Sequence, residues 1–297
     1  MRPDSPILLF HAVGSAASTG YKDAVTPEEL DRALAWLQAH YRVVPLDELL
    51  QRSRHGQPLA GLAALTFDDN HRSVAEVALP LAAARGLPAT WFVMTGPLAG
   101  RPYWRRQLTR LLAEGQEAAF LAFLAAEAPD LAGKLRPGRL YKDSKDPSRV
   151  ASDAMAALIA SFTQGRDWER DEVTAGEIAA MTLPGVTLGN HSRDHLVMAG
   201  LSPERQAREV AEASATLASF PQRKSRLFAV PFGGAPTYDQ ATLASVTAAG
   251  LAGLAVTADG LCAADDLSAH PLLAPGRALV RCGGAALARR RPQAWPV

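Results

Sequence analysis

Apolar and polar positions along the chain alternate between two rhythms. Short apolar or β-branched runs occur at residues 7–13 (ILLFHAV), 41–46 (YRVVPL), 62–67 (LAALTF), 88–95 (PATWFVMT), 185–190 (GVTLGN), 226–232 (RLFAVPF), 251–257 (LAGLAVT) and 277–282 (RALVRC). Each reads as a short, buried strand. Between them lie stretches with helical spacing. Residues 26–40 (TPEELDRALAWLQAH) place Leu30, Leu34 and Leu37 on one face, with Thr26 as N-cap, Pro27 in the first turn and Glu29 at the capping-box position. A helical turn begins at 47–50 (DELL). Residues 73–86 read as a helix closed by Gly86, 202–220 as a helix capped by Ser202 ahead of Pro203, and 238–250 as a helix ending at Gly250. Repeated strand–helix units imply parallel strands with helices outside, as a barrel or a doubly wound sheet.

Residues 97–184 break this rhythm. They are rich in helical segments (YWRRQLTRLLAEG, EAAFLAFLAAEAP, RVASDAMAALIASF) joined by polar connectors bearing Pro and Gly. We read residues 1–297 as a single domain in which 97–184 is a helix-rich insertion between two core strands. Its aromatics, Tyr103, Trp104, Tyr141 and Trp168, either line a substrate groove or pack the insertion onto the core. Its alanine-rich helices also permit a partner surface, and the oligomeric state is left open.

Composition narrows the function classes. The 297 residues are 48% hydrophobic, enough for a packed core. With 31 basic and 30 acidic residues the formal net charge is +1, so nothing points to nucleic acid or an anionic membrane. No apolar run approaches the ~20 residues of a membrane span, and the run at the N-terminus is too short for a signal peptide, so a cytoplasmic location is expected. Two cysteines, Cys262 and Cys282, are too few for a disulfide framework and read as free thiols or one bridge.

Candidate chemistry gathers at strand ends. In ALTFDDN, Asp68 and Asp69 stand side by side where a buried strand stops. In NHSRDH, His191 and His195 follow another strand. Histidines four apart share a face if the segment is helical, and alone that is a weak signal, as is an acid pair opening a helix. Both sites, however, lie at carboxyl-side ends of strands, the rim that carries active sites in β/α barrels. Two imidazoles and one carboxylate make a ligand set for a divalent ion with positions left for water and substrate. The second carboxylate is then available as a general base on a water held by the ion. Of the other histidines, His11 ends the first strand, His71 follows the acid pair, His40 and His55 read as surface residues and His270 lies in a Pro-rich loop.

In that order, LTFDDN, HSRDH and FAVPFGG resemble the first three motifs of the polysaccharide deacetylase family, the NodB-homology carbohydrate esterases. ILLFHAV resembles the Tyr-His-x-Val opening of one subgroup, and RVVPLDELL the stretch between the first helix and the acid motif. The likeness spans residues 7 to about 96 and 185 to about 282. It implies a distorted (β/α) barrel of about seven parallel strands. It also implies metal-dependent removal of an N-acyl group, above all N-acetyl, from an amino sugar or glycan. By the same resemblance Asp68 is the base, and Asp69, His191 and His195 hold the ion. The backbone N–H of Phe232 helps stabilise the oxyanion. Pro231, Gly233 and Asn70 fall at substrate-contacting positions. Zn2+ is the expected ion, with Co2+ or Ni2+ as alternatives, since the donor set suits all three. The family's late Leu-x-His is replaced by LVRC at 279–282; His11, in the opening motif, resembles the residue that acts as general acid in the subgroup with a permuted motif order, or is a core histidine. The Arg usual before the Pro of the third motif is absent. Arg281 stands in for it by orienting Asp68, or is a strand-end surface residue. The Gly usual after the acid pair is Asn70, which tolerates a left-handed backbone and so preserves the turn. Asp259 is matched by position only. Two competing readings remain: a deformylase or deacylase of a small, nucleotide- or lipid-linked substrate, and a catalytically silent carbohydrate-binding barrel.

Overall fold

The computed structural model describes residues 5–166, 168–258 and 278–283. Among these residues eight strands are present: β1 (Ile7–Phe10), β2 (Arg42–Val43), β3 (Leu62–Asp68), β4 (Ala89–Val93), β5 (Val186–Asn190), β6 (Arg223–Ala229), β7 (Gly253–Ala258) and β8 (Ala278–Gly283). All their pairings are parallel. The order runs from β3 through β4, β5, β6, β7 and β8 to β1, and β1 pairs with β3, so seven strands close a ring. The two-residue β2 extends the same edge of β3 that β1 uses, at Leu62 and Ala63. Of the two architectures open from the alternation of elements, the barrel is the one formed.

The barrel is distorted at the point that matters for the site. The register of β5 against β6 shifts between Leu188 and Asn190. Gly189 lies in that step, where a Cβ would stand 2.2 Å from the ring of Phe92. Only a residue without a side chain fits there, and irregularities of this kind re-aim the side chains that follow. The residue after β5 is His191.

Local signals in the sequence account for the outer helices. Thr26 and Glu29 form a reciprocal capping box on Pro27–His40, which buries Leu30, Ala33, Leu34 and Leu37. Ser202 caps Pro203–Ala218 by accepting from the N–H of Arg205. The segment read as one helix over 73–86 departs from regularity. Val74–Ala78 is π-helical and continues as the α-helix Leu79–Ala84. Pro80 is the reason: it has no N–H to give the carbonyl four residues back, and the widened turn ahead of it takes up its ring.

Between β4 and β5 the chain forms the helices Trp104–Ala113, Glu117–Glu127 and Ser152–Phe162, with shorter turns around them. Leu108, Leu111, Phe120, Leu124, Met155 and Ile159 are fully buried, in one apolar cluster with Val210, Phe228 and Val230. At roughly 1.5–3 kcal/mol for each such side chain, this region is fixed to the barrel by its own core. Among the described residues, no helix is long and apolar enough to cross a membrane. Cys262, Asp259 and His270, and the side chains of Arg281 and Cys282, lie outside what is described.

Candidate metal centre and active-site cavity

Because all strands run the same way, their carboxyl ends share one rim. β1 delivers His11 there, β3 delivers Asp68 and Asp69, β5 delivers His191, and the turn after β6 delivers Phe232. With His195, these residues line one cavity of about 390 Å3. The HSRDH segment that carries His195 is a loop and not a helix, so the two rings meet through backbone turns rather than helical spacing. Ser192 (φ 65) and His195 (φ 54) are both left-handed. The N–H of Ser192 donates to Asn190 Oδ1 at 2.8 Å, and that of His195 to Ser192 Oγ at 2.9 Å. Glu209, on the helix behind, accepts from the N–H groups of Arg193 and Asp194.

The result is a tight triangle of donor atoms. His191 Nε2 and His195 Nε2 lie 3.1 Å apart. Asp69 Oδ1 lies 3.5 Å from the first and 3.4 Å from the second. Oδ1 is buried and accepts no hydrogen bond among the described residues, a costly state for a carboxylate oxygen unless something else neutralises it. Ligands at ~2.0–2.1 Å around a tetrahedral ion lie about 3.3–3.4 Å apart, so one Zn2+-sized ion fits the three atoms. The partners behind them fix their orientation. His191 Nδ1 donates to the carbonyl of Ala229 at 2.9 Å, which leaves the Nε2 lone pair for the triangle. His195 Nδ1 lies 3.3 Å from the Tyr103 hydroxyl. Tyr21 donates to Asp69 Oδ2 at 2.9 Å, so Oδ1 is the oxygen left over. Burial pushes His195 well below its ordinary range, which keeps the ring neutral, the form a ligand needs.

Asp68 Oδ2 stands 3.7 Å from His191 Nε2, beside the triangle rather than within it. His11 Nδ1 bonds Asp23 Oδ2 at 2.7 Å, and the ring stacks on Tyr21. Burial alone would lower its pKa. Asp23, with help from Asp69 and Asp68, instead raises it to about 9, so the ring is a cation at neutral pH. Phe232 has φ 65, and its N–H has no partner among the described residues. Its ring packs edge-on against His195, 4.6 Å between centroids.

The remaining expected positions behave differently. Pro231 and Gly233 are buried beside Phe232 and take no part in the cavity lining. Gly233 is left-handed (φ 68), with Thr257 where a Cβ would be. Asn70 does not supply the left-handed residue of its turn; Asp69 does, at φ 63. Asn70 is fully buried and clamps β4: Nδ2 donates to the Met94 carbonyl and Oδ1 accepts the Met94 N–H, both at 2.8 Å. With both polar groups used on the backbone, it does not line the cavity. Arg281 sits on β8 in register with Thr257, which does line it. The insertion's aromatics divide between the two expected roles: Tyr103 and Tyr141 line the cavity, while Trp104 donates from the core to the His195 carbonyl and Trp168 to Glu114.

Sequence reading missed Tyr21, Asp23, Arg105 and Lys145, all of which line this cavity. None sits in a motif. The only available signal was position, since the loop after β1 must cross the rim that carries Asp68 and Asp69.

A polysaccharide deacetylase family model matches residues 155–254, a span that includes His191, His195 and Phe232. No curated protein matches the chain. The fold is that of several solved deacetylases. A Streptococcus pyogenes deacetylase, PplD, solved in complex with acetate, is 18% identical over 95% of this chain and 93% of its own, with a TM-score of 0.58. IcaB from Ammonifex degensii is 19% identical over 99% and 94%, TM-score 0.57. The BpsB deacetylase domain from Bordetella bronchiseptica is 14% identical over 93% and 94%, TM-score 0.54. The resemblance to the polysaccharide deacetylase family is thereby borne out over the span that carries HSRDH and FAVPFGG.

Proposed function

We propose that the protein is a metal-dependent hydrolase that removes an N-acyl group, above all N-acetyl, from an amino sugar or glycan. The observation that carries this reading is the buried, unpartnered Asp69 Oδ1 facing two Nε2 atoms at 3.4 and 3.5 Å. Asp69, His191 and His195 would hold the ion, and Zn2+, Co2+ or Ni2+ suits the donor set. When bound, the ion supplies Lewis acidity, polarising the amide carbonyl and making water a stronger acid at neutral pH. Asp68 takes the proton from the attacking water. The Phe232 N–H donates to the oxyanion as the carbonyl becomes tetrahedral, where a preorganised donor contributes most. His11, charged and held by Asp23, gives its proton to the departing amine. The helices of 97–184 act as an insertion that closes one side of the cavity.

A catalytically silent barrel has no use for a buried carboxylate oxygen without a donor, and this argues against that alternative. The test is elemental analysis of the purified protein together with acetate release from N-acetylglucosamine oligomers. We expect about one divalent ion per chain and a release that stops on chelation and returns with Zn2+ or Co2+. Undiminished release from thoroughly chelated protein refutes the proposal.

A further inference from the structure

One flank of the cavity is cationic and aromatic, and the mechanism above does not use it. Arg105 is 6% exposed, and its guanidinium sits over the rings of Tyr141 and Phe232, 4.0 and 4.6 Å from the centroids. Lys145 lies over Tyr141 at 4.4 Å, and Lys22 approaches the same ring at 5.7 Å. Among the described residues, neither Arg105 nor Lys145 has a carboxylate partner, and Arg105 Nη1 is buried with no acceptor. Asp23, the nearby acid, is engaged by His11, and Arg106 by Asp171. Burial, then the charges of Arg105, Lys142 and Lys22, pushes the Lys145 ammonium down to about 8 against the opposing charge of Asp23.

The energetics of this cluster do not close within the protein. Cation–π contact returns only part of what it costs to bury a guanidinium without a counter-charge. A bound anion removes the deficit. Phe232 connects this flank to the chemistry, because the ring under Arg105 is the ring packed on His195. An anion held by Arg105 and Lys145 would belong to the molecule whose acyl group lies at the triangle.

We propose that Arg105 and Lys145, framed by Tyr141 and Phe232, form an anion-recognition subsite, and that the substrate is an N-acylated amino sugar bearing a phosphate or carboxylate group. The inference rests on the hydrolase reading for the word substrate, but binding tests it independently. Calorimetric titration of metal-free protein with N-acetylglucosamine 1-phosphate, N-acetylmuramate and uncharged N-acetylglucosamine gives the comparison. We expect at least one charged sugar to bind about tenfold tighter than the neutral one, a difference of ~1.4 kcal/mol, and which of the two does so identifies the anion. Lys145→Met, at a half-buried position, should abolish most of that preference while leaving affinity for the neutral sugar unchanged, and Arg105→Met should do the same. Equal affinity for all three sugars, or a preference untouched by Lys145→Met, overturns the subsite. Acetate release from neutral oligomers, measured alongside, separates the two claims. Turnover without any charge preference in binding removes the subsite and leaves the hydrolase. Charge-selective binding with no acyl release under any metal leaves the subsite and removes the hydrolase.

Discussion

Replacing Asp23 with Asn isolates the proton donor from the rest of the site. In the wild type His11 is raised from about 6.5 to about 9, a differential of roughly 3.4 kcal/mol between its two protonation states at ~1.4 kcal/mol per unit. Burial opposes that shift. The hydrogen bond and charge of Asp23 are the largest upward influence, followed by Asp69 and Asp68. Asparagine keeps the shape and removes the charge, so burial should then prevail and bring His11 below its ordinary value. At pH 7.5 the ring would pass from almost wholly protonated to almost wholly neutral. Losing a positioned general acid costs on the order of 10²–10⁴ in rate. Two measurements check this. NMR titration of the metal-free protein should move the His11 midpoint from about 9 to below 6.5, and the alkaline limb of kcat/KM in the metal-loaded enzyme should move to lower pH. A bound ion lowers both midpoints, so the difference between the proteins is the quantity to read. Stability follows the same linkage. A folded pKa raised above the unfolded one stabilises fully below about pH 6.5, and the contribution is lost as pH rises through about 9. Asp23 is 47% exposed at its side chain, so solvent screening reduces the stability gap to about 1–2 kcal/mol. A His11 midpoint that stays near 9 in Asp23→Asn would show that Asp23 does not set the charge of the ring and would refute this reasoning.

The other predictions concern metal, turnover and the clamp. Tyr21→Phe removes the donor to Asp69 Oδ2 and should weaken metal affinity about 10–100-fold in a competition with a chelator; unchanged affinity would mean that Asp69 is oriented without it. Asp68→Asn should keep its metal by elemental analysis yet lose about 10³-fold or more in acetate release, whereas His195→Ala should lose both metal and turnover. Full activity in Asp68→Asn would exclude it as the base. Asn70→Ala leaves the N–H and carbonyl of Met94 without partners and should cost about 2–4 kcal/mol in urea unfolding; a loss under about 0.5 kcal/mol would show that the clamp is dispensable.

What was legible in the sequence was whatever local chemistry dictates. Thr26, Pro27 and Glu29 announce a helix start because the orphan N–H groups there need those side chains, and Leu30, Leu34 and Leu37 announce its buried face. The strands read correctly because both faces are covered, so their apolar runs are continuous. The acid pair and the two histidines stood out as ionisable groups at the ends of such runs. Less legible was anything set by approach in space. Asn70 looked like a turn residue, yet its amide reaches β4, 24 positions away in the chain. The spacing of His191 and His195 would put them on one face only of a helix, and a loop brings them together instead. Tyr21, Asp23, Arg105 and Lys145 lie in segments whose local pattern says only loop or helix surface, and their meaning appears once the rim is assembled.

The backbone shows how the rim is held. Four non-glycine residues are left-handed among the described residues, Asp69, Ser192, His195 and Phe232, and all four lie in the segments that build the site. Each costs roughly 1–2 kcal/mol in that conformation, and each has its carbonyl tied from another segment. Trp91 Nε1 donates to the Asp69 carbonyl at 2.6 Å, and Trp104 Nε1 to that of His195 at 3.1 Å. The N–H of Thr95 reaches the carbonyl of Ser192 at 3.3 Å, and the Thr257 hydroxyl that of Phe232 at 3.4 Å. The donors come from β4, the residues just after it, the insertion and β7. A left-handed turn at a strand end swings the next side chain across the rim, and a donor from a separate element keeps it from relaxing. Part of the cost of gathering two carboxylates and two imidazoles is therefore carried by the surrounding barrel and by the insertion. For that reason the segment 97–184 is part of the site's construction: without Trp104, nothing else among the described residues donates to the carbonyl that keeps His195 turned toward His191 and Asp69.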